Sequence, residues 1–300
     1  MLSLSGLRQR ARLLQAIRRF FIDRDYLEVD TPVRVPAPAP EAYIVPEPSG
    51  DWFLQTSPEL CMKRLLAGGA ERIFQICKCF RQAERGTRHL PEFTMLEWYR
   101  ADIDYRDLMA ECEELLLFLV RELIGGDRLE ISAGVFSFAP PWERLTVAEA
   151  FSRYASIPVA EALAQDRFDE ILVTQVEPEL GRGKPTFLMD YPAPLAALAR
   201  LRPDNQEVAE RFEIYLNGLE LANGFSELVD PAEQRRRFAA ERLRIEADGR
   251  RPGPLPDKFL AALAAMPPAA GIALGVDRLA MLFAGAETID EIVTFTPEEL

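Results

Sequence analysis

An α+β domain, an antiparallel sheet flanked by helices, is the fold class this sequence predicts. Three observations predict it. Strand-like runs come in neighbouring pairs: "RIFQICKCFR" with "PEFTMLEWYR", and the two halves of "RFEIYLNGLELANGFSEL" around Asn217-Gly218, a hairpin dipeptide. Amphipathic helical stretches separate these pairs instead of alternating with single strands. Neither G-x-G-x-x-G nor G-x-x-x-x-G-K-[ST] occurs, so the nucleotide loops of parallel folds are missing.

The elements follow in order. Leu7, Ala11, Leu14, Ile17 and Phe21 recur at helical spacing and predict a helix over 7–23. "YLEVDTP" reads as a short strand closed by Pro32, 36–48 as a proline-rich irregular segment, and "WFLQT" as a strand. Ser57-Pro58-Glu59 predicts a helix start, with Ser57 as cap and Gly68-Gly69 as the stop. The first strand pair follows, then a helix over 106–124, helices between 146 and about 176, and the strand "TFLMDYP". After the second pair come a charged helix over 231–247 and the strand "GIALGV", which runs into a helix near Asp277. No internal repeat or linker stands out, so one domain over 1–300 is expected.

Composition narrows the function. Hydrophobic residues make up 48% of the 300, enough for a large core. The formal net charge of −13 argues against a large nucleic-acid footprint, which rests on basic contacts to phosphate. The basic run "EQRRRFAAERLR" alternates with acids and apolar residues, as a solvated helix face does. Cys61, Cys77, Cys79 and Cys112 form no C-x-x-C pair, and one histidine cannot complete the usual zinc quartets or favour a histidine-centred triad. Free thiols in a reducing cytoplasm are expected. No apolar run is long enough to span a bilayer.

Three constellations carry chemistry. Side chains alternate along strands, so Gln75, Cys77, Cys79 and Arg81 share one face of the first hairpin, and Phe93, Met95, Glu97 and Tyr99 share one face of its partner strand. If these faces coincide, one groove holds an anion clamp, a flat ring, a buried acid and a phenol. A half-exposed hairpin with ordinary charge pairs is the competing reading. In the second hairpin Glu213 and Glu220 are expected to face each other across strands. Two such carboxylates repel unless a cation such as Mg²⁺ with phosphate oxygens lies between them, or both point to water. In "GIALGVDRL", Gly271 and Gly275 permit close approach of a ligand, and Asp277 is a candidate helix cap. Arg278 sits in the first helical turn, against the dipole, where an anionic ligand would justify it.

In this order the elements resemble the signature motifs of the class II aminoacyl-tRNA synthetases, closest to the lysine-specific branch. "RRFFIDRDYLEVDTP" is similar to motif 1, "RIFQICKCFR…RHLPEFTMLEWY" to motif 2 and "GIALGVDRLAMLF" to motif 3; "TSPELCMKRLL" and "ELANGFSEL" match as well. The similarity runs from about residue 7 to 296. Lysyl-tRNA synthetases carry an N-terminal anticodon-binding OB domain, whereas motif 1 stands here at the start. The resemblance therefore implies a class II synthetase-like catalytic domain without it, like the free-standing paralogues that modify elongation factor P. Ser57 and Ala273 stand where the tRNA enzymes have Ala and Gly.

The resemblance implies an ATP-dependent ligase that activates (R)-β-lysine or lysine with Mg²⁺, acts on elongation factor P, and works as a cytoplasmic homodimer. A truncated tRNA-charging enzyme and a non-catalytic amino-acid-binding paralogue are the rivals. By resemblance, Arg81 and Arg278 are the catalytic cations. ATP would be bound by Arg81, Gln82, Ala83, His89, Leu90, Phe93, Glu220, Leu221, Gly275 and Arg278, with Phe93 stacked on adenine. The amino acid would be held by Ser57, Pro58, Glu59, Glu97, Tyr99, Asn223, Glu227 and Ala273, and Mg²⁺ by Glu213 and Glu220. The sequence departs from the motif at Ala83, where the family has Glu, and at Leu90, where it has Asn.

Overall fold

A computed structural model describes residues 1–300. The chain divides into two compact units, Met1–Arg10 with Phe21–Ile103 and Glu227–Leu300, and Ala11–Phe20 with Asp104–Ser226. The helix expected over 7–23 runs Leu4–Ile22.

In the first unit the strand Glu92–Ala101 lies between Arg72–Phe80 and Ala269–Gly275, antiparallel to both. Leu27–Glu28 adds a short parallel strand beside Arg72–Phe80, a pairing that local patterns do not announce. Thr94 to Tyr99 are buried without a break, because the central strand is covered on both faces. Phe21 stacks on Phe74 at 4.8 Å and meets Trp98 at 5.2 Å, pinning the sheet to the end of the first helix. Short strands Arg34–Val35, Pro48–Ser49 and Trp52–Leu54 form a small separate sheet.

The second unit pairs Leu219–Ser226 with Asn205–Leu216, and that strand with Thr186–Pro192, both antiparallel. Glu143–Thr146 then joins in parallel. Asn217 and Gly218, at φ 51° and 67°, make the tight left-handed turn that the dipeptide predicts. Tyr105–Ile124 is bounded by a capping box between Asp104 and Asp107 and by Gly125 at φ 93°. Phe151, Phe168, Ile171, Leu188, Tyr191 and Tyr215 belong to one buried cluster.

The charged helix spans Pro231–Ala247 as expected, with Asp230 as its cap. The four cysteines are free. No helix is long and apolar enough to cross a membrane.

Candidate active site

The two faces of the first hairpin coincide. Gln75 pairs with Glu97, Cys77 with Met95 and Cys79 with Phe93. On the other side of the central strand, Gly271 faces Tyr99, Ala273 faces Glu97 and Gly275 faces Met95. A groove floor of small residues therefore runs beside the acid, the phenol and the ring. Gly271 is required there: a Cβ would come within 2.2 Å of the Tyr99 ring and 2.7 Å of Glu227 Oε1.

Behind this floor lies a buried carboxylate cluster. The Ser57 hydroxyl donates to Glu97 Oε1 at 2.5 Å, and the Tyr99 hydroxyl donates to Oε2 at 2.7 Å. Ser57 also accepts from the Glu59 backbone N–H at 3.0 Å. The helix begins at Glu59 with Pro58 in the cap position, so Ser57 supports its start from one residue further out than expected.

Lys63, one turn along, is the residue that sequence reasoning missed. Its ammonium pairs with Glu59, and with Glu227 at 2.5 Å, while its own side chain is 1% exposed. The signal was present as the i, i+4 spacing in "ELCMK". Burial alone would lower Lys63, but Glu227 and Glu59 outweigh it and the group is raised, hence charged. One cation cannot neutralise three acids. Burial, reinforced by Glu59, pushes Glu97 up to about 8. Burial also pushes Glu227 up to about 8 against the pull of Lys63.

The loop between the strands is organised around two arginines. Arg81 lies over the Phe93 ring with its guanidinium carbon 5.1 Å from the centroid. Arg278 donates to His89 Nε2 at 2.6 Å. Burial, and next the Arg278 charge, lower His89, so its ring is neutral and Nε2 is free to accept. Arg278 rests against Gly275, whose Cβ would be 3.6 Å from its chain.

The loop is also tied to the chain's end. Arg85 bonds Asp290 and Glu298, and Ile289 N–H donates to Thr87 O at 2.8 Å. Ala83 adopts φ 62°, a left-handed conformation unfavourable for a residue with a Cβ. Gln82 is exposed, its N–H donating to Val45 O at 2.8 Å. Leu90 is 4% exposed, so it packs in the core.

Asp277 is not the helix cap, which is Gly275. It is buried, accepts from Thr94 N–H at 2.6 Å, and pairs with Arg10 at 2.6 Å. It thus joins the first helix, the central strand and the base of Arg278.

The second unit carries the other acids. Glu213 lies opposite Asn223, not opposite Glu220 as expected. Glu220 pairs with Tyr215 in the register set by the Asn217-Gly218 turn, on the face that Glu213 shares, and a bulge between Ile214 and Tyr215, with Leu221 as the extra residue, then brings Asn223 to that face as well. Without that extra residue Asn223 would face the other way. Leu221, next to Glu220, is buried. Glu213 accepts from Tyr191 at 2.6 Å, Tyr215 at 2.7 Å and Arg211 at 2.6 Å. Arg211 also donates to Asn223 Oδ1 at 3.1 Å and covers the Tyr191 ring at 4.3 Å. Burial raises Glu213 and Arg211 opposes that, while Glu220 adds to the rise.

These two acids suit a hard divalent cation. They are oxygen donors on one face, their charges repel, and Mg²⁺ needs only one or two carboxylates when phosphates complete its shell. Three hydrogen bonds leave Glu213 room for one more partner among its four lone-pair sites.

Known sequences agree with this geometry. Residues 3–299 match the profile described as tRNA synthetases class II (D, K and N). A protein of Erwinia tasmaniensis named elongation factor P--(R)-beta-lysine ligase is 39% identical, covering 98% of this chain and 95% of its own length. Proteins of the same name from Klebsiella pneumoniae and Salmonella paratyphi B are 39% and 38% identical; the alignments cover 97% and 98% of this chain and 94% and 95% of theirs. With its hairpin groove, its arginine pair and a match along nearly its whole length, the chain belongs to the class II tRNA synthetase family.

Proposed function

We propose that the chain is an ATP-dependent ligase that activates (R)-β-lysine, or lysine, as an aminoacyl-adenylate and transfers it to the ε-amino group of a lysine on elongation factor P. The observation that carries this reading is the charge balance around Lys63. Two buried acids, Glu97 and Glu227, and the half-buried Glu59 against one buried cation leave two negative charges when all are ionised. A substrate with two ammonium groups cancels them. The name shared by the relatives points to the same substrate and acceptor.

In the first step a carboxylate oxygen of the amino acid attacks the α-phosphorus of ATP. The bond to pyrophosphate breaks and pyrophosphate leaves. The attacking group is already ionised, so no general base is needed, and positioning with charge neutralisation does the work. Arg81 and Arg278 supply fixed positive charge. Arg81 leaves the Phe93 ring for the α-phosphate, freeing the ring to stack on adenine. His89, neutral, keeps Arg278 aimed. Gln82, Ala83, Leu90, Glu220, Leu221 and Gly275 complete the nucleotide site, and Glu213 with Glu220 hold Mg²⁺, whose charge offsets that of the phosphates.

In the second step the acceptor amine, having lost one proton to water, attacks the acyl carbon. The bond from that carbon to the AMP phosphate oxygen breaks, and AMP leaves with the electron pair. The nitrogen's surplus proton passes to the departing phosphate.

Ser57, Pro58, Glu59, Glu97, Tyr99, Asn223, Glu227 and Ala273 hold the amino acid. Ala273, facing Glu97, narrows the groove relative to a glycine and favours the β-amino isomer. The protein works as a homodimer in the cytoplasm. A net charge of −13 speaks against tRNA as the acceptor.

Pyrophosphate exchange with (R)-β-lysine, with lysine and without amino acid tests activation. Addition of elongation factor P or tRNA then tests transfer. Exchange with one of the diamino acids and transfer to elongation factor P are expected. No exchange would remove the ligase reading, and transfer to tRNA alone would replace the acceptor.

A further inference from the structure

A cavity adjoins the carboxylate cluster. Its volume is about 260 Å³, and it shares Ser57 and Glu59 with the cluster. Its walls are apolar: Ala37 and Ala39 from the proline-rich segment, Leu60 and Cys61 from the Glu59–Ala67 helix, and Leu255 and Phe259 before and within the Asp257–Leu263 helix. Pro254, Asp257 and Lys258 on its rim are exposed, while Gln55 and Thr56 are buried at 0% and 3%. The cavity therefore runs from the surface to the buried acids.

Two features say what it takes. Gln55 lines it and donates through Nε2 to Lys78 O at 2.8 Å, but its Oε1 is buried without a partner. A buried carbonyl oxygen lacking a donor within the protein is open to an N–H from outside it. The ionisable groups of the lining are Glu41, Glu59 and Asp257 against Arg64 and Lys258, so the balance is acidic. An apolar passage with an unpaired acceptor and a carboxylate at its inner end fits an aliphatic amine. Glu97 and Glu227, the counter-charges assigned to the amino-acid substrate, are not among the residues that line this cavity.

Resting on the ligase reading above, we infer that this cavity admits the side chain of the acceptor lysine, by a route separate from the amino-acid site. The four-carbon stem lies along Ala39, Leu60, Cys61 and Phe259. Its nitrogen reaches Gln55 Oε1 and the Ser57–Glu59 edge, beside the adenylate formed on the cluster. The passage thus separates two substrates that share an amine and a methylene chain.

Cys61→Trp and Ala39→Phe fill the cavity without touching the cluster, and Cys61→Ser serves as the control. Pyrophosphate exchange with (R)-β-lysine reads the first step; single-turnover transfer to elongation factor P reads the second. Exchange within about twofold of the parent, with transfer down at least about tenfold in both filled variants, is the expected result. Unchanged transfer overturns the inference. Exchange and transfer falling together also overturn it, because the cavity would then belong to the amino-acid site. Absence of exchange in the parent protein counts against the ligase reading itself, a different failure.

Labelling of the native thiol needs no variant of this chain. N-ethylmaleimide modification of Cys61, followed by peptide mass, should slow in the presence of elongation factor P. It should not slow with elongation factor P lacking its acceptor lysine. Equal rates with the two acceptors would sink the inference.

Discussion

Lys63 and Glu227 form an ion pair 2.5 Å long in which the side chains are 1% and 0% exposed. The pair is the electrostatic centre of the candidate amino-acid site, because the same ammonium also holds Glu59. Replacing Lys63 by Met leaves buried acids without their cation. The expected loss is about 3–5 kcal/mol of stability, the usual result of removing one partner of a buried pair. Urea unfolding at pH 8 measures it; a loss under about 1 kcal/mol would mean that the pair contributes little.

The acids of this cluster also set a pH dependence. Glu97 and Glu227 titrate near 4.5 when unfolded and near 8 in the folded protein. The folded state therefore binds more protons between these values. Their contribution to stability is fully present below about pH 4.5 and is lost as pH rises through about 8. Glu97→Gln should raise the melting temperature of the free protein at pH 8 and abolish amino-acid activation. Binding of a dicationic amino acid should release protons at pH 7, visible by calorimetry in buffers of different ionisation enthalpy. Proton uptake instead would reverse the assignment.

Gly271 has no room for a methyl group. Tyr99 carbons would lie 2.2 Å from it, so Gly271→Ala must displace the ring that donates to Glu97. Overpacking of this kind costs about 1–3 kcal/mol, or roughly five- to 150-fold in affinity. The KM for the amino acid should rise by that factor while the KM for ATP stays within about twofold. Equal increases in both would place the effect on the fold instead.

The Arg278–His89 contact predicts an effect on the nucleotide. His89→Leu removes the acceptor for Arg278, and the KM for ATP should rise by about tenfold. Because His89 is lowered from 6.5, the contact is intact at pH 7 and lost on acidification through its folded value. Exchange activity should fall at low pH through this group in the parent and lack that component in His89→Leu. Identical acid limbs would refute the role.

Ala83 occupies a left-handed position at φ 62°. Glycine removes the Cβ strain, worth about 1–2 kcal/mol, and gives back part of it as unfolded-chain entropy. Ala83→Gly should therefore stabilise the protein by up to about 1 kcal/mol. Denaturant titration checks this; destabilisation would show that the Cβ makes a contact that matters.

Much of the site was legible from local pattern. Period-two alternation places Glu97 and Tyr99 on one face with Phe93, and the Asn217-Gly218 dipeptide sets a tight hairpin turn. The motifs around Arg81 and Arg278 point to the family without any tertiary information. Lys63 was harder to find, since a lysine in an ordinary amphipathic helix looks like a solvated one. Only the sheet beneath it, carrying Glu227 to within 2.5 Å, makes it a buried counter-ion.

Sequence by itself determined which residue types are available and, through the strand and helix periods, which of them share a face. The tertiary structure decided which faces meet. Asn223 is the clearest case: regular pairing after Asn217-Gly218 would set it opposite Phe212, on the other face from Glu213, and one bulged residue brings it opposite Glu213. Leu90 and Asp277 are others, the first drawn into the core and the second held by Arg10 and Thr94 instead of capping its helix. Register and burial are set by contacts between residues far apart in the chain, where local preferences of a few tenths of a kcal/mol are overruled by packing.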